Sequence, residues 1–133
     1  MPKIPTICPF CGCGCSMYLV TWHDRVIGVE PCPGSPVNKG MLCAKGWNSY
    51  EFIHSPERLT APLVRKNGVL VESTWDEALD LAASRLMHIR QASGNGSLAF
   101  LASAKVSNEE NYLFMKMARA VFKTNNVDHC ARL

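Results

Sequence analysis

The sequence has little net charge and no long apolar run. Charged residues make up 19% of the 133 residues, and 14 Lys and Arg against 11 Asp and Glu leave a formal charge of +3. A small, scattered charge of this kind is not typical of a protein that binds nucleic acid or a membrane surface. The longest uncharged stretch, which ends at Trp22, is interrupted by Pro, Gly and Cys and is shorter than the roughly 20 apolar residues of a spanning helix. We therefore expect no nucleic-acid partner and no membrane span.

The N-terminus lacks the apolar core of a secretory signal and has no twin-arginine pair. We therefore expect a cytoplasmic, reducing location. The seven cysteines fall below the density of about 8–10% that marks a disulfide scaffold. Cys11, Cys13 and Cys15 are also too crowded to pair with one another. In a reducing compartment, metal binding is the better interpretation of these thiols.

The first half of the sequence predicts small antiparallel strands. Residues 16–22 and 25–30 are rich in β-formers and flank a His23-Asp24 turn. Residues 31–40 form a loop rich in Pro and Gly, and residues 44–53 predict a short helix. A second hairpin is predicted around Asn67-Gly68, because this dipeptide readily supplies the positive φ angles of a tight turn.

The second half changes to an alternation of helices and strands. Capping boxes at Thr74–Glu77 and Ser107–Glu110 each open a helix. Between the helices, residues 97–102 form a short uncharged run typical of a strand buried on both faces, and Val127 begins another strand. This order predicts the opening of a parallel α/β layer. One or two parallel strands cannot bury both faces, so we expect this layer to be incomplete.

Three cysteines, Cys8, Cys11 and Cys15, lie close together on a glycine-rich turn, and Cys43 follows alone after a loop. Three thiolates from one tight loop and a fourth from a distant segment are typical of a cubane iron–sulfur cluster. Four thiolates also suit a structural zinc site, although a zinc ribbon normally has two Cys-x2-Cys pairs and Cys43 has no such neighbour. The sequence favours the cluster and leaves a zinc-binding interaction module as an alternative.

The remaining cysteines and the histidines show no pattern typical of a site. We expect Cys13 to point away from the cluster, Cys32 to be an idle loop thiol and Cys130 to be a small buried residue. His54 has no visible partner in the sequence. Lys45 lies two residues beyond Cys43, where an ammonium would either bridge a cluster to a second cofactor or simply be solvated.

The cysteine motif and several later segments resemble known families. The motif Cys-Pro-Phe-Cys-Gly-Cys-Gly-Cys at 8–15, Gly-Met-Leu-Cys-Ala-Lys-Gly at 40–46 and Trp-Asp-Glu-Ala-Leu at 75–79 resemble the N-terminus of molybdopterin-dependent oxidoreductases. The segments at 103–112 and 124–133 resemble formate dehydrogenases in particular. The resemblance covers the whole chain.

The resemblance implies a set of cofactor-binding residues. A [4Fe-4S] cluster would be bound by four cysteines, which are Cys8, Cys11, Cys15 and Cys43. Lys45 matches a lysine placed between that cluster and a pterin of a bis-molybdopterin guanine dinucleotide cofactor, which carries molybdenum or tungsten. Lys105 and Asn108 fall in a loop near this cofactor in the family. The family's metal-ligating cysteine or selenocysteine would follow Leu133, so we expect no catalytic residue within the chain.

The resemblance also implies a fold, a division into domains and a function. We expect an α+β to α/β chain with a small antiparallel [4Fe-4S] domain over residues 1–60, followed by the first part of the parallel α/β molybdopterin oxidoreductase domain over residues 61–133. The chain would be the N-terminal iron–sulfur part of a formate dehydrogenase, which converts formate reversibly to CO2 and two electrons. It would relay electrons to an iron–sulfur partner subunit and be inactive alone. A stand-alone [4Fe-4S] electron-transfer protein is the alternative.

The position at which the chain stops suggests a further expectation. Leu133 falls inside a predicted α/β unit, directly before the family's metal ligand. Selenocysteine is encoded by UGA, a codon that otherwise terminates translation. We therefore expect UGA to follow the Leu133 codon. A selenol is more acidic than a thiol and is already an anionic ligand near neutral pH.

Overall fold

The structure is a computed structural model that describes residues 1–130 of the chain. It forms two compact units, and neither unit is continuous in sequence. The first unit contains Met1–Arg58, Ala102–Phe114 and the C-terminal piece from His129, and the second contains Leu59–Leu101 and Met115–Asp128. The predicted domain boundary at residue 60 stays a prediction. Residues 131–133, which contribute to the resemblance to formate dehydrogenases, lie outside the described residues.

A three-stranded antiparallel sheet dominates the first unit. Its strands follow one another in the order β1 (Lys3–Ile7), β2 (Ser16–Trp22) and β3 (Arg25–Pro31). The predicted hairpin of β2 and β3 is confirmed, and both residues of its His23-Asp24 turn have positive φ. Strand β1 is absent from the sequence prediction because prolines 2 and 5 obscure its pattern. Such prolines are tolerated because β1 lies at the edge of this sheet.

The predicted helix over residues 44–53 is wrong in extent. The structure has helix α1 (Ala44–Trp47), followed after a turn by a 3-10 helix (Glu51–His54). The break lies at Asn48, whose side-chain Nδ2 donates to the Ala44 carbonyl at 2.7 Å. Asparagine side chains compete in this way with the backbone bonds of a continuing helix.

The second hairpin and the first long helix agree with the sequence prediction. Strands β4 (Leu63–Lys66) and β5 (Val69–Glu72) pair antiparallel, and Asn67 and Gly68 in their turn both have positive φ. Helix α2 (Trp75–Ser93) begins after Thr74, whose hydroxyl accepts from the Glu77 N–H at 3.2 Å. Within residues 1–130, no helix is long and apolar enough to cross a membrane.

The α/β part of the chain follows α2. It contains a 3-10 turn (Asn95–Ser97), strand β6 (Phe100–Ser103), helix α3 (Asn108–Lys116), one π-helical turn (Met117–Val121) and strand β7 (Val127–Cys130). Strands β6 and β7 are hydrogen-bonded neighbours in a two-stranded sheet. In the second unit, Phe100 packs on Phe122 with ring centroids 5.2 Å apart, and both rings are buried. The chain therefore has a small antiparallel sheet followed by a mixed α/β segment.

Burial in this part agrees with the expected incomplete α/β layer. Leu98 and Phe100 are buried, but Leu101 is 78% exposed, so only one face of β6 is covered within residues 1–130. The burial prediction for Cys130 is wrong for the described chain, because Cys130 is exposed. That prediction assumes that a sheet covered on two sides surrounds this residue.

Candidate metal centre

The first three predicted ligands lie on one closed loop between β1 and β2. The register of these strands ends at the pair Ile7 and Ser16, so residues 8–15 form the loop of the hairpin. The Cys8 N–H donates to the Cys15 carbonyl at 2.9 Å and closes the loop at its base. We call residues 8–15 the cysteine loop. The loop brings thiols from Cys8, Cys11 and Cys15 into one neighbourhood.

Burial and the neighbouring thiols together raise the pKa of Cys15 to about 11. The largest cause is burial, followed by a hydrogen bond with the Cys13 thiol and by repulsion from the charges of Cys13, Cys8 and Cys11. The protonated thiol is thus favoured when no cation is present. A bound metal centre supplies positive charge and reverses this preference, because thiolates rather than thiols bind metal.

Cys13 lies closer to the predicted ligands than the sequence analysis expects. Its side chain is exposed, but its thiol is a hydrogen-bond partner of Cys15. The prediction that Cys13 points away from the cluster stays a prediction, as does its assignment as a non-ligand.

A small apolar cluster lies beneath the cysteine loop. Cys8, Met17 and Val29 are buried together, and Cys15 and Leu42 pack against them. Leu42 directly precedes Cys43, the fourth predicted ligand. The two segments that carry the predicted ligands therefore pack on the same apolar cluster.

Asn38 adds a polar link between these two segments. It is 8% exposed, its Oδ1 accepts from the Ser16 N–H at 3.0 Å, and its Nδ2 donates to the Ser16 carbonyl at 3.1 Å and to the Met41 carbonyl at 2.7 Å. Ser16 follows the last cysteine of the loop, and Met41 lies two residues before Cys43. The sequence analysis missed Asn38, although a lone Asn in a loop rich in Pro and Gly is typical of such side-chain to backbone bonds.

Cys43 lies at the start of α1, in a different electrostatic environment from Cys15. The pKa of its thiol is lowered, chiefly by the Gly46 N–H and also by the backbone N–H and the ammonium of Lys45. Backbone N–H groups at a helix start stabilise a thiolate in this way. The structure thus places Lys45 where its charge acts on a predicted ligand.

Aromatic contacts support the cysteine loop from the 3-10 helix. Phe10 packs edge-to-face on Phe52 with centroids 6.0 Å apart, and the Arg58 guanidinium lies 5.1 Å from the centroid of the Phe52 ring. His54 on the same 3-10 helix accepts at Nε2 from the Val26 N–H at 2.9 Å. His54, which has no visible partner in the sequence, therefore binds the backbone of β3.

The loop that leads into α3 is held by local hydrogen bonds. The Lys105 N–H donates to the Ser103 hydroxyl at 3.0 Å, and Asn111 Nδ2 donates to the Ser103 carbonyl at 3.2 Å. Asn108, which the resemblance places near the pterin cofactor, has Nδ2 donating to the Gly12 carbonyl of the cysteine loop at 2.7 Å. Its hydrogen bond to the backbone of the predicted cluster loop has no local sequence signature.

The donor set suits an iron–sulfur cluster. A zinc ion draws its sulfur ligands to about 2.3 Å, whereas the four thiolates of a cluster bind different irons of a larger cage. Three thiols grouped on one loop and a fourth on an adjoining segment fit the larger cage.

Comparisons with known proteins agree with this site. Residues 1–55 match the family described as the molybdopterin oxidoreductase Fe4S4 domain, and residues 58–133 match the molybdopterin oxidoreductase family. Two relatives from Methanococcus maripaludis, the F420-dependent formate dehydrogenase 2 and 1 alpha subunits, are 51% and 49% identical over 98% of this chain. The corresponding subunit of Methanocaldococcus jannaschii is 48% identical over 98% of this chain.

The chain spans 19% of the length of each of these three relatives. The two family matches together cover nearly the whole sequence, and the second covers more than half of it. The cysteine loop and Cys43 fall within the Fe4S4 match, and Lys105 and Asn108 fall within the second match. The chain belongs to the molybdopterin oxidoreductase family.

Proposed function

We propose that this chain is the N-terminal iron–sulfur portion of a formate dehydrogenase catalytic subunit. The cysteine loop carries the proposal, because it groups the thiols of Cys8, Cys11 and Cys15 on a backbone closed by its own hydrogen bond. The high identity to formate dehydrogenase alpha subunits supports the choice of substrate. In this proposal the parent reaction is the reversible conversion of formate to CO2 and two electrons.

Four thiolates of this chain would hold a [4Fe-4S] cluster. The proposed ligands are Cys8, Cys11, Cys15 and Cys43. When bound, such a cluster accepts and donates single electrons. The chain's own contribution is to position the thiolates: the apolar cluster and Asn38 support both ligand segments, and the α1 amides stabilise the Cys43 thiolate.

Three polar residues would contact the pterin cofactor in this proposal. Lys45 carries a positive charge beside the Cys43 thiol, so it is suited to lie between a cluster and an anionic dinucleotide. Lys105 and Asn108 lie on the loop before α3 and at its first residue, respectively. The guanine dinucleotide form of the pterin and its metal, molybdenum or tungsten, belong to the same proposal.

Electrons would leave through a second protein. The relatives from the two methanogens are named as alpha subunits, which suggests a complex for this chain as well. We propose an iron–sulfur subunit as the partner and the cytoplasm as the location.

The test is the cofactor content of the chain purified without oxygen. We expect about four irons per chain and the electron paramagnetic resonance signal of a reduced cubane cluster. Cys43→Ser should abolish or convert this signal. Cys13→Ser is the matched control, because both cysteines are exposed, and it should keep all four irons. Equal iron loss in both variants would contradict the ligand assignment, and zinc without iron would favour the zinc-binding module.

A further inference from the structure

The hydrogen bond between Asn108 and Gly12 joins residues that are 96 positions apart in the sequence. Gly12 lies between Cys11 and Cys13 at the tip of the cysteine loop. Asn108 is the first residue of α3, and its Nδ2 lies 2.7 Å from the Gly12 carbonyl oxygen. Both residues belong to the first unit. The bond therefore anchors the tip of the loop to a helix far away in sequence.

The Asn108 amide also lies so close to Gly12 that no side chain fits between them. A Cβ atom added to Gly12 would lie 2.6 Å from Asn108 Oδ1, which is too close for a real contact. The φ angle of Gly12 is outside the left-handed region, so alanine is compatible with its backbone. The amide of Asn108 is the end of a flexible side chain. Gly12→Ala would therefore displace this amide rather than distort the loop.

The first turn of α3, which carries Asn108, is fixed by a capping box. Ser107 caps α3, with its hydroxyl accepting from the Glu110 N–H at 3.2 Å and its N–H donating to Glu110 Oε2 at 2.7 Å. Asn108 is thus not needed as the cap, and its side chain is available for Gly12. Because the reciprocal bonds fix the first turn of α3, the position of the Asn108 amide is well defined.

We propose that Asn108 is a positioning residue for the cysteine loop. Holding the Gly12 carbonyl fixes the peptide plane between Gly12 and Cys13, because a trans peptide directs its C=O and N–H in opposite directions. The backbone on which Cys11 and Cys13 lie is thereby held in one conformation. The effect on a bound cluster rests on the proposed function, whereas the effect on the loop itself does not.

The first experiment measures the loop in the metal-free full chain. Alkylation of Cys8, Cys11 and Cys15, the loop thiols that are wholly or partly shielded from solvent, by iodoacetamide, followed by mass spectrometry, reports how often the loop opens. We expect Asn108→Ala and Gly12→Ala each to speed alkylation about two- to tenfold, the range for loss of one hydrogen bond. Gly34→Ala is the control, because a Cβ there meets nothing within 4 Å and its φ is not positive. Its alkylation rates should equal those of the wild type.

The double variant distinguishes the loss of this one hydrogen bond from a general destabilisation of the loop. If both changes act by breaking one bond, Gly12→Ala combined with Asn108→Ala should react no faster than either single variant. Additive rates, or wild-type rates in both single variants, would overturn the positioning role. Circular dichroism of each variant should match the wild type, because Asn108 and Gly12 are exposed. A variant that loses its fold despite this would also overturn the proposal.

The second experiment measures the midpoint potential of the cluster in the anaerobic chain. We expect a lower potential in both single variants and no change in Gly34→Ala, because a looser loop weakens N–H bonds to the cluster sulfurs, which stabilise the more negative reduced form. If alkylation became faster but the potentials stayed unchanged, the proposed effect of Asn108 on the cluster would be overturned. Its proposed effect on the conformation of the loop would stand. A wild-type chain without iron would overturn the proposed function, while the alkylation rates still decide the role of Asn108.

Discussion

The cysteine region and helix α2 are stabilised in opposite ways. Around the cysteine loop, buried side chains of Cys8, Met17 and Val29 pack together, and the buried Asn38 amide links two distant segments. Helix α2 has no buried residue, and Leu79 on it is 59% exposed. Its visible support is polar and consists of the Thr74 cap, the ion pair of Glu77 with Lys66, and the Arg90 guanidinium, which donates to the Val121 carbonyl at 2.9 Å. The comparison shows that the candidate metal centre is secured by buried contacts and the long helix by polar contacts at the surface.

Truncation of a side chain in each region tests this difference most strongly. Met17→Ala should lower the free energy of unfolding by about 2–5 kcal/mol, since Met17 is 2% exposed beneath the cysteine loop. Leu79→Ala should change it by less than about 0.5 kcal/mol, because Leu79 is exposed. Denaturant titration followed by circular dichroism measures both. Equal losses would show that α2 is packed as firmly as the cysteine region.

A second pair of variants compares a buried with an exposed asparagine. Asn38→Ala removes three hydrogen bonds made by a buried side chain, including the one donated by the half-buried Ser16 N–H, so we expect a loss of about 2–4 kcal/mol. Asn48→Ala removes one exposed bond to Ala44 and should cost less than about 1 kcal/mol.

Iron content sharpens this comparison. Because Asn38 links the segments on either side of the proposed ligands, its variant should also release iron to a chelator faster than Asn48→Ala. Similar chelation rates in the two variants would show that the link between Ser16 and Met41 does not support the centre.

The smallest effect is expected from Glu77, which supports α2 by polar contacts at the surface. Its pKa is lowered by the Lys66 ammonium at 2.6 Å and by the Ser73 hydroxyl. A carboxyl whose folded pKa lies below its unfolded value stabilises the fold above the unfolded pKa and loses this effect as the pH falls through the folded pKa.

Thermal unfolding as a function of pH tests this direction of the pH dependence of stability. Glu77→Gln should therefore unfold at a slightly lower temperature than the wild type at pH 7, and the two melting temperatures should converge below the folded pKa of Glu77. Glu72→Gln provides a control, since Glu72 lies on the neighbouring strand β5. A difference that persists at low pH would show that the charge of Glu77 is not its cause.

The sequence predicts those parts of the structure that neighbouring residues determine. The turn residue Asn67 adopts positive φ as expected, residues 23 and 24 form the expected turn, and Thr74 caps α2 with its hydroxyl. These features depend on a few adjacent side chains, so their chemistry is visible in the sequence. The grouping of the loop cysteines is visible for the same reason.

Contacts across long sequence separations have no such signature. The links from Asn38 to Ser16 and from Asn108 to Gly12 join residues that are 22 and 96 positions apart. An asparagine in a loop is a common residue, and only the folded backbone shows which carbonyl it reaches. The sequence also does not predict which face of β6 is buried, because the burial of Leu101 depends on contacts with other parts of the fold. The assignment of individual cysteines as ligands stays a prediction.

The π-helical turn after α3 has a consequence for insertions and deletions. The Phe122 N–H donates to the Met117 carbonyl, five residues earlier, at 3.2 Å, so this turn contains one residue more than an α-helical turn. The five-residue spacing places the Phe122 N–H over the Met117 carbonyl, where an α-helix would place the N–H of the fourth residue after Met117. Deleting one residue between Met117 and Phe122 would bring Phe122 to that fourth position, so α-helical spacing would return while the Phe122 ring kept its place against Phe100. The aromatic pair in the second unit thus tolerates the loss of one residue from this turn, whereas a further added residue would turn Phe122 by about 100° around the helix axis.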